Sequence, residues 1–201
     1  MCNKKRRQSY VAGAVIQINL RNEKAAYGRI LGGIIAIYDF VSKKSEKTVP
    51  VKSIIDHPIL FYCTIYESVV TKGIFEIIEQ IDVSEEDIRH IPPGFTQDLA
   101  NINDCVIFYH DDRIPQFKAT PQECIGLERS SVWDESNIIE RIEDHFLGRK
   151  NFSYELFKPI LSEDDIRFMS GPFLRWDFEA QTFYRVTEEQ LLNEREKKGI
   201  I

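Results

Sequence analysis

The 201-residue sequence predicts an α+β fold, a strand-rich N-terminal part curled into an SH3-like or barrel-like sheet and followed by helices. Three observations predict it. Residues 10–41 read as a three-stranded meander that opens with period-two alternation in residues 14–20, Gly32-Gly33 makes a tight turn within it, and helical periodicity with capping signals dominates the second half. Hydrophobic residues make up 43% of the chain and charged ones 29%, a globular rather than a disordered composition.

In residues 14–20, Ala14, Ile16, Ile18 and Leu20 alternate with Val15, Gln17 and Asn19, giving a strand with one dry face and one wetter face. Polar residues 21–24 reverse the chain. Residues 25–31 form a second strand, and residues 34–41 a third that is apolar on both sides and therefore central. Residues 42–47 are a polar loop. Residues 59–66 and 74–83 carry the aromatic and branched side chains that suit strands. Ser84, with Asp87 three positions on, starts one short turn of helix that Pro92-Pro93-Gly94 ends. Residues 105–110 are a compact strand that turns at Asp111-Asp112.

Thr120-Pro121-Gln122-Glu123 reads as a capping box with proline at the first helical position. Ile138, Ile142 and Phe146, with Ile139 beside them, make the apolar stripe of a helix over about residues 135–147, and Gly148 is its cap. Further on, Ser162-Glu163-Asp164-Asp165 opens a short helix, residues 178–186 pair as a strand, and Thr187-Glu188-Glu189-Gln190 caps a last helix. The expected division is an α+β domain over residues 8–152 and a C-terminal extension, 153–201, whose aromatic residues require burial against it.

Several function classes are excluded early. The longest apolar run, residues 30–38, is far short of the roughly 18 residues that span a bilayer. Lys4-Lys5-Arg6-Arg7 starts like a secretory signal but no apolar core follows, so a cytoplasmic protein without a membrane partner is expected. Cys2, Cys63, Cys105 and Cys124 form no C-x-x-C pair and read as reduced thiols. Charge is more informative: residues 8–201 carry 22 basic against 32 acidic residues, and residues 74–112 carry ten acids and one base, Arg89, for a net charge of −9. Such a stretch repels nucleic acid and attracts basic proteins, although solvation alone also explains it.

No catalytic constellation emerges from the residues. Gly28, Gly32 and Gly33 match no phosphate-loop pattern and read as turn glycines. Cys124 falls near a predicted helix start, where a dipole lowers a thiol pKa, but no histidine stands in a recognisable cysteine-protease signature, so it reads as structural. His110-Asp111-Asp112 lacks a second cluster with ligand spacing, and neither metal nor cofactor is expected. Tyr62, Tyr66, Phe108 and Tyr109 lack the interleaved bases of a nucleic-acid binder.

Three passages, in order, resemble the bacterial immunity protein 26 family. Gly13-Ala14-Val15-Ile16-Gln17-Ile18 followed by Ala26-Tyr27-Gly28-Arg29-Ile30-Leu31 is similar to its opening strands. A later family motif is resembled by the stretch that holds Cys124, Gly126, Leu127, Glu128 and Trp133, and the helix closing the domain by residues 141–151. The resemblance covers about residues 8–152 and implies an immunity partner in a polymorphic toxin system, made beside a toxin; it transfers no catalytic residue. Each motif also has a purely structural reading: the strand bends at Gly28, Tyr27 packs in the core, Trp133 anchors a helix, and Arg129 pairs with Glu128 on the surface.

The leading expectation is therefore a non-enzymatic inhibitor that binds a cognate toxin domain, a nuclease being the case that the acidic stretch fits. Its interface candidates are Glu85, Glu86, Asp87, Asp98, Asp104, Asp111 and Asp112. Two alternatives stay open: a regulatory or assembly module that oligomerises through the extension, and an RNA-processing enzyme on an SH3-like barrel.

Overall fold

The computed structural model describes residues 7–45 and 49–162, together with the backbone of Leu174–Asp177 and Thr182–Arg185. β1 (Ala14–Asn19), β2 (Lys24–Ile30) and β3 (Ile35–Lys43) form the expected antiparallel meander, and β4 (Ile59–Ile65) continues it. The third strand runs two residues past its expected end, taking Ser42 and Lys43 from the predicted loop. β5 (Glu76–Gln80), shorter than the expected 74–83, pairs back onto β1.

A second, four-stranded sheet is built by β6 (Gly94–Gln97), β7 (Cys105–Phe108), β8 (Phe117–Ala119) and β9 (Glu128–Arg129), in the order β8-β7-β6-β9. The chain then crosses back, and β10 (Val132–Trp133) pairs in parallel with Thr64 and Ile65 of β4. The first sheet thus has the order β10-β4-β3-β2-β1-β5. The fold is α+β, but the expected barrel-like curl is not closed. β5 and β10 stand at opposite ends of the sheet, and β4 takes its outer partner from the crossing chain rather than from β5.

Both faces of this sheet are covered, which is why β2 is buried at every residue after Lys24 and why Val15, on the face expected to be wetter, is buried too. One face carries Ile16, Ile18, Ile30 and Ile35 against Ile138 and Ile142 of α4 (Glu135–Phe146). Asp134 caps that helix, its carboxylate accepting from Asn137 N at 2.9 Å. The other face packs Tyr27 and Tyr38 against Ile54 of α1 (Val51–Ile55), and Leu31, Ile34 and Ala36 against Ile91. Gly28 allows the close pairing of β2 with β3: a Cβ there would lie 3.0 Å from Ala36 O, and the register shifts beside it.

Two single-turn helices, α1 and α2 (Glu67–Thr71), escape sequence reading because five residues carry no helical period. The remaining ones are α3 (Glu85–Arg89), where Ser84 predicts it, and α5 (Phe152–Leu156). The helix expected after Thr120 does not form. Its capping box does, with Glu123 accepting from Thr120 N at 2.7 Å, but residues 121–126 are successive turns. Ile125 is 60% exposed and Gly126 has a φ of +88°, so no apolar face carries the helix forward. The helices expected at 163 and 187 lie outside the described residues, while Thr182–Arg185, within the expected strand, pairs with Leu174–Asp177.

Candidate functional site

The structure supplies bases to the acidic stretch from outside it. Asp87 closes the cap of α3, accepting from Ser84 N at 2.8 Å, and also meets both terminal nitrogens of Arg29 at 3.2 Å. Arg29, only 7% exposed, further donates to Asp82 O at 2.7 Å, so an arginine of β2 pins α3 to the sheet. Glu85 lies 3.2 Å from Arg89 and 3.8 Å from Arg113. Arg113 also grips Asp111 with two bonds of 2.7 Å, and these hydrogen bonds bring that carboxyl down to about 2. Asp104 pairs with Lys118, and Asp98 accepts from Ala100 N at 2.8 Å in the β6–β7 loop. Glu86 and Asp112 are exposed.

The later motif residues divide between two places. Cys124 is buried with Phe95, Cys105 and Ile107, Leu127 packing beside them, and burial pushes its thiol up to about 11. Glu128 does not pair with Arg129 as expected. It meets Arg141 of α4, while Arg129 donates to Gln97 Oε1 at 2.6 Å and to Lys158 O at 3.2 Å. Trp133 packs with α4 and sets its ring edge-on to Phe157, 5.0 Å away.

Glu128 lies where residues 128–133 leave one sheet for the other, and two cavities open there. The larger, about 590 Å³, is bounded by β4, β9, α4 and α5; its lining includes Phe61, Tyr62, Glu128, Arg141, Lys150 and Tyr154. The smaller, about 140 Å³, shares Tyr62 and Glu128 with it and reaches Cys63, His110 and Trp133. Sequence reading missed this cleft, since its walls come from segments far apart in the chain.

Burial pushes the Cys63 thiol up to about 12, the opposite of an activated nucleophile, and lowers the pKa of His110, disfavouring its charged form. Among the described residues, no group of three potential ligands is placed to hold a metal ion, and no helix is long and apolar enough to cross a membrane.

Compared with known families, residues 11–106 match Immunity protein 26. The match covers just under half of the chain, and it is this segment that is similar to the family. The immunity protein 26 segment runs from β1 into β7 and contains Tyr27, Gly28 and Arg29, whereas Cys124, Gly126, Leu127, Glu128 and Trp133 lie beyond it. This similarity supports an immunity function and, in general terms, a toxin as partner. No curated protein and no solved structure matches the chain.

Proposed function

We propose that this protein binds a cognate toxin domain, made beside it, and neutralises it in the cytoplasm of the producing cell without catalysis of its own. The observation that carries the reading is the immunity protein 26 match over residues 11–106. Two cysteine thiols held well above neutral pH support a binding role over a nucleophilic one. The acid excess, 32 against 26, supports a basic partner, and a nuclease with a cationic groove is the specific toxin proposed. Of the seven acidic interface candidates, Glu86 and Asp112 remain the best placed, because Glu85, Asp87, Asp104 and Asp111 already hold cations of this chain and Asp98 bonds its own loop.

The test is co-expression with the toxin domain encoded beside the gene. Growth should be restored and the two proteins should elute together. Equal killing with and without this chain would overturn the reading.

A further inference from the structure

The large cleft meets β4 in an unusual way. Four consecutive residues, Ile59, Leu60, Phe61 and Tyr62, line it, although side chains along a strand alternate between faces. Consecutive lining means that the cavity reaches the strand from its edge. On that side β10 pairs only with Thr64 and Ile65, so the outer edge of β4 from Ile59 to Cys63 has no strand partner among the described residues.

The direction of the backbone groups follows from the register. Leu31 N donates to Ile34 O, so residues 34 and 36 of β3 turn towards β2, and Ile35 and Ile37 towards β4. Their partners on β4 are Cys63 and Phe61. Tyr62, between them, therefore points its N–H and C=O away from β3 and into the cleft.

Charge distinguishes this edge from the other one. The outermost strand at the other end of the sheet, β5, carries Glu76 and Glu79, acids of the kind that discourage strand addition. Around the β4 edge the cleft carries the fixed cations Arg141, Arg149 and Lys150 against Glu128 and Glu155. Both carboxylates are already engaged, Glu128 by Arg141 and Glu155 by Lys158 at 2.8 Å. Arg149 is anchored to Asp144 at 2.7 Å, and Lys150 is exposed at the mouth. With three cations against two carboxylates the lining is net positive by one charge, carried in effect by Lys150, a local reversal in a body of net charge −10, and it faces strand backbone that has no strand partner among the described residues.

We infer that this cleft is a strand-capture site: an extended, acidic segment of the toxin partner adds to the outer edge of β4 and is held against the wall of Arg149 and Lys150. Main-chain bonds at an open sheet edge give affinity, and the flanking charges and aromatic rings choose the sequence. The inference rests on the reading of the protein as a toxin-binding partner, and it adds where and by what chemistry a segment of that toxin is held.

Residue-resolved amide exchange of the full chain, alone and with the toxin domain encoded beside the gene, tests it. Alone, Tyr62 N–H should exchange much faster than Phe61 and Cys63 N–H; in the complex it should slow by about tenfold or more. Lys150→Glu should weaken the complex by about tenfold and leave the melting temperature unchanged. A complex in which Tyr62 exchanges as in the free chain would overturn strand capture while leaving neutralisation intact. Protection of Tyr62 already in the free chain would overturn it too, since the edge would then be taken by this chain's own residues. Wild-type protein that forms no complex would overturn the functional reading and this inference with it.

Discussion

Arg141 of α4 reaches across to Glu128 of β9, its Nη1 lying 3.2 Å from Oε2 while Nη2 closes on Oε1. The guanidinium also stands 3.8 Å from the centre of the Phe61 ring, 4.3 Å from that of Tyr154 and 5.0 Å from that of Trp133. One cation thus ties the helix on the first sheet to a strand of the second. Glu128→Ala leaves it buried without its counter-ion, and a loss of about 2–4 kcal/mol is expected, tempered because Glu128 is a quarter exposed. Arg141→Lys should also destabilise, since an ammonium cannot grip both oxygens and stack. Urea unfolding measures both.

Asp87 makes part of the fold acid-sensitive. Burial pushes its carboxyl up, but the Ser84 amide and hydroxyl and the Arg29 guanidinium outweigh burial and hold it below its ordinary value. A carboxyl lowered by folding contributes stability that is present above its unfolded pKa, about 4, and disappears as pH falls through the folded value. Asp87→Asn should therefore be less stable than wild type at pH 7, by about 1 kcal/mol for this partly exposed pair, and the gap should close as the pH falls below about 4. A gap that persists at pH 2 would show that the charge does not matter.

Contacts with the core continue past residue 152, the boundary expected from the sequence. Gln97 accepts from Ile160 N at 2.9 Å and donates to Ile160 O at 2.8 Å, and Ile160 itself is 1% exposed. Tyr154 and Phe157 pack against the main core. A chain ending at residue 152 should be less stable than one ending at 162 by at least about 2–3 kcal/mol, roughly one fully buried isoleucine. Equal denaturation midpoints would place the boundary at 152, as the sequence leads one to expect.

Exposed acids should govern how fast the toxin arrives. Glu86→Lys with Asp112→Lys should slow association with a basic toxin domain several-fold at low salt, without changing the melting temperature. Raising the ionic strength should slow the wild type in the same direction. Stopped-flow rates indifferent to both changes would remove these residues from the interface.

The meander, the cap of α3 and the stripe of α4 are legible in the residues because near neighbours hold each of them: alternation along a strand, Ser84 with Asp87, Ile138 with Ile142. The acidic excess is legible for the same reason, as a property of composition. What becomes of those acids is not. Arg29 reaches Asp87 across 58 positions, and Arg113 stands between Glu85 and Asp111 only because α3 and the β7–β8 turn come together. β9 and β10 are two residues long, too short for any periodic signal, yet they join the sheets and, among the described residues, leave most of the β4 edge without a strand partner. Local pattern decides which segments become strands or helices, whereas ion pairs, sheet closure and the cleft depend on contacts between distant segments, whose partners no local pattern names.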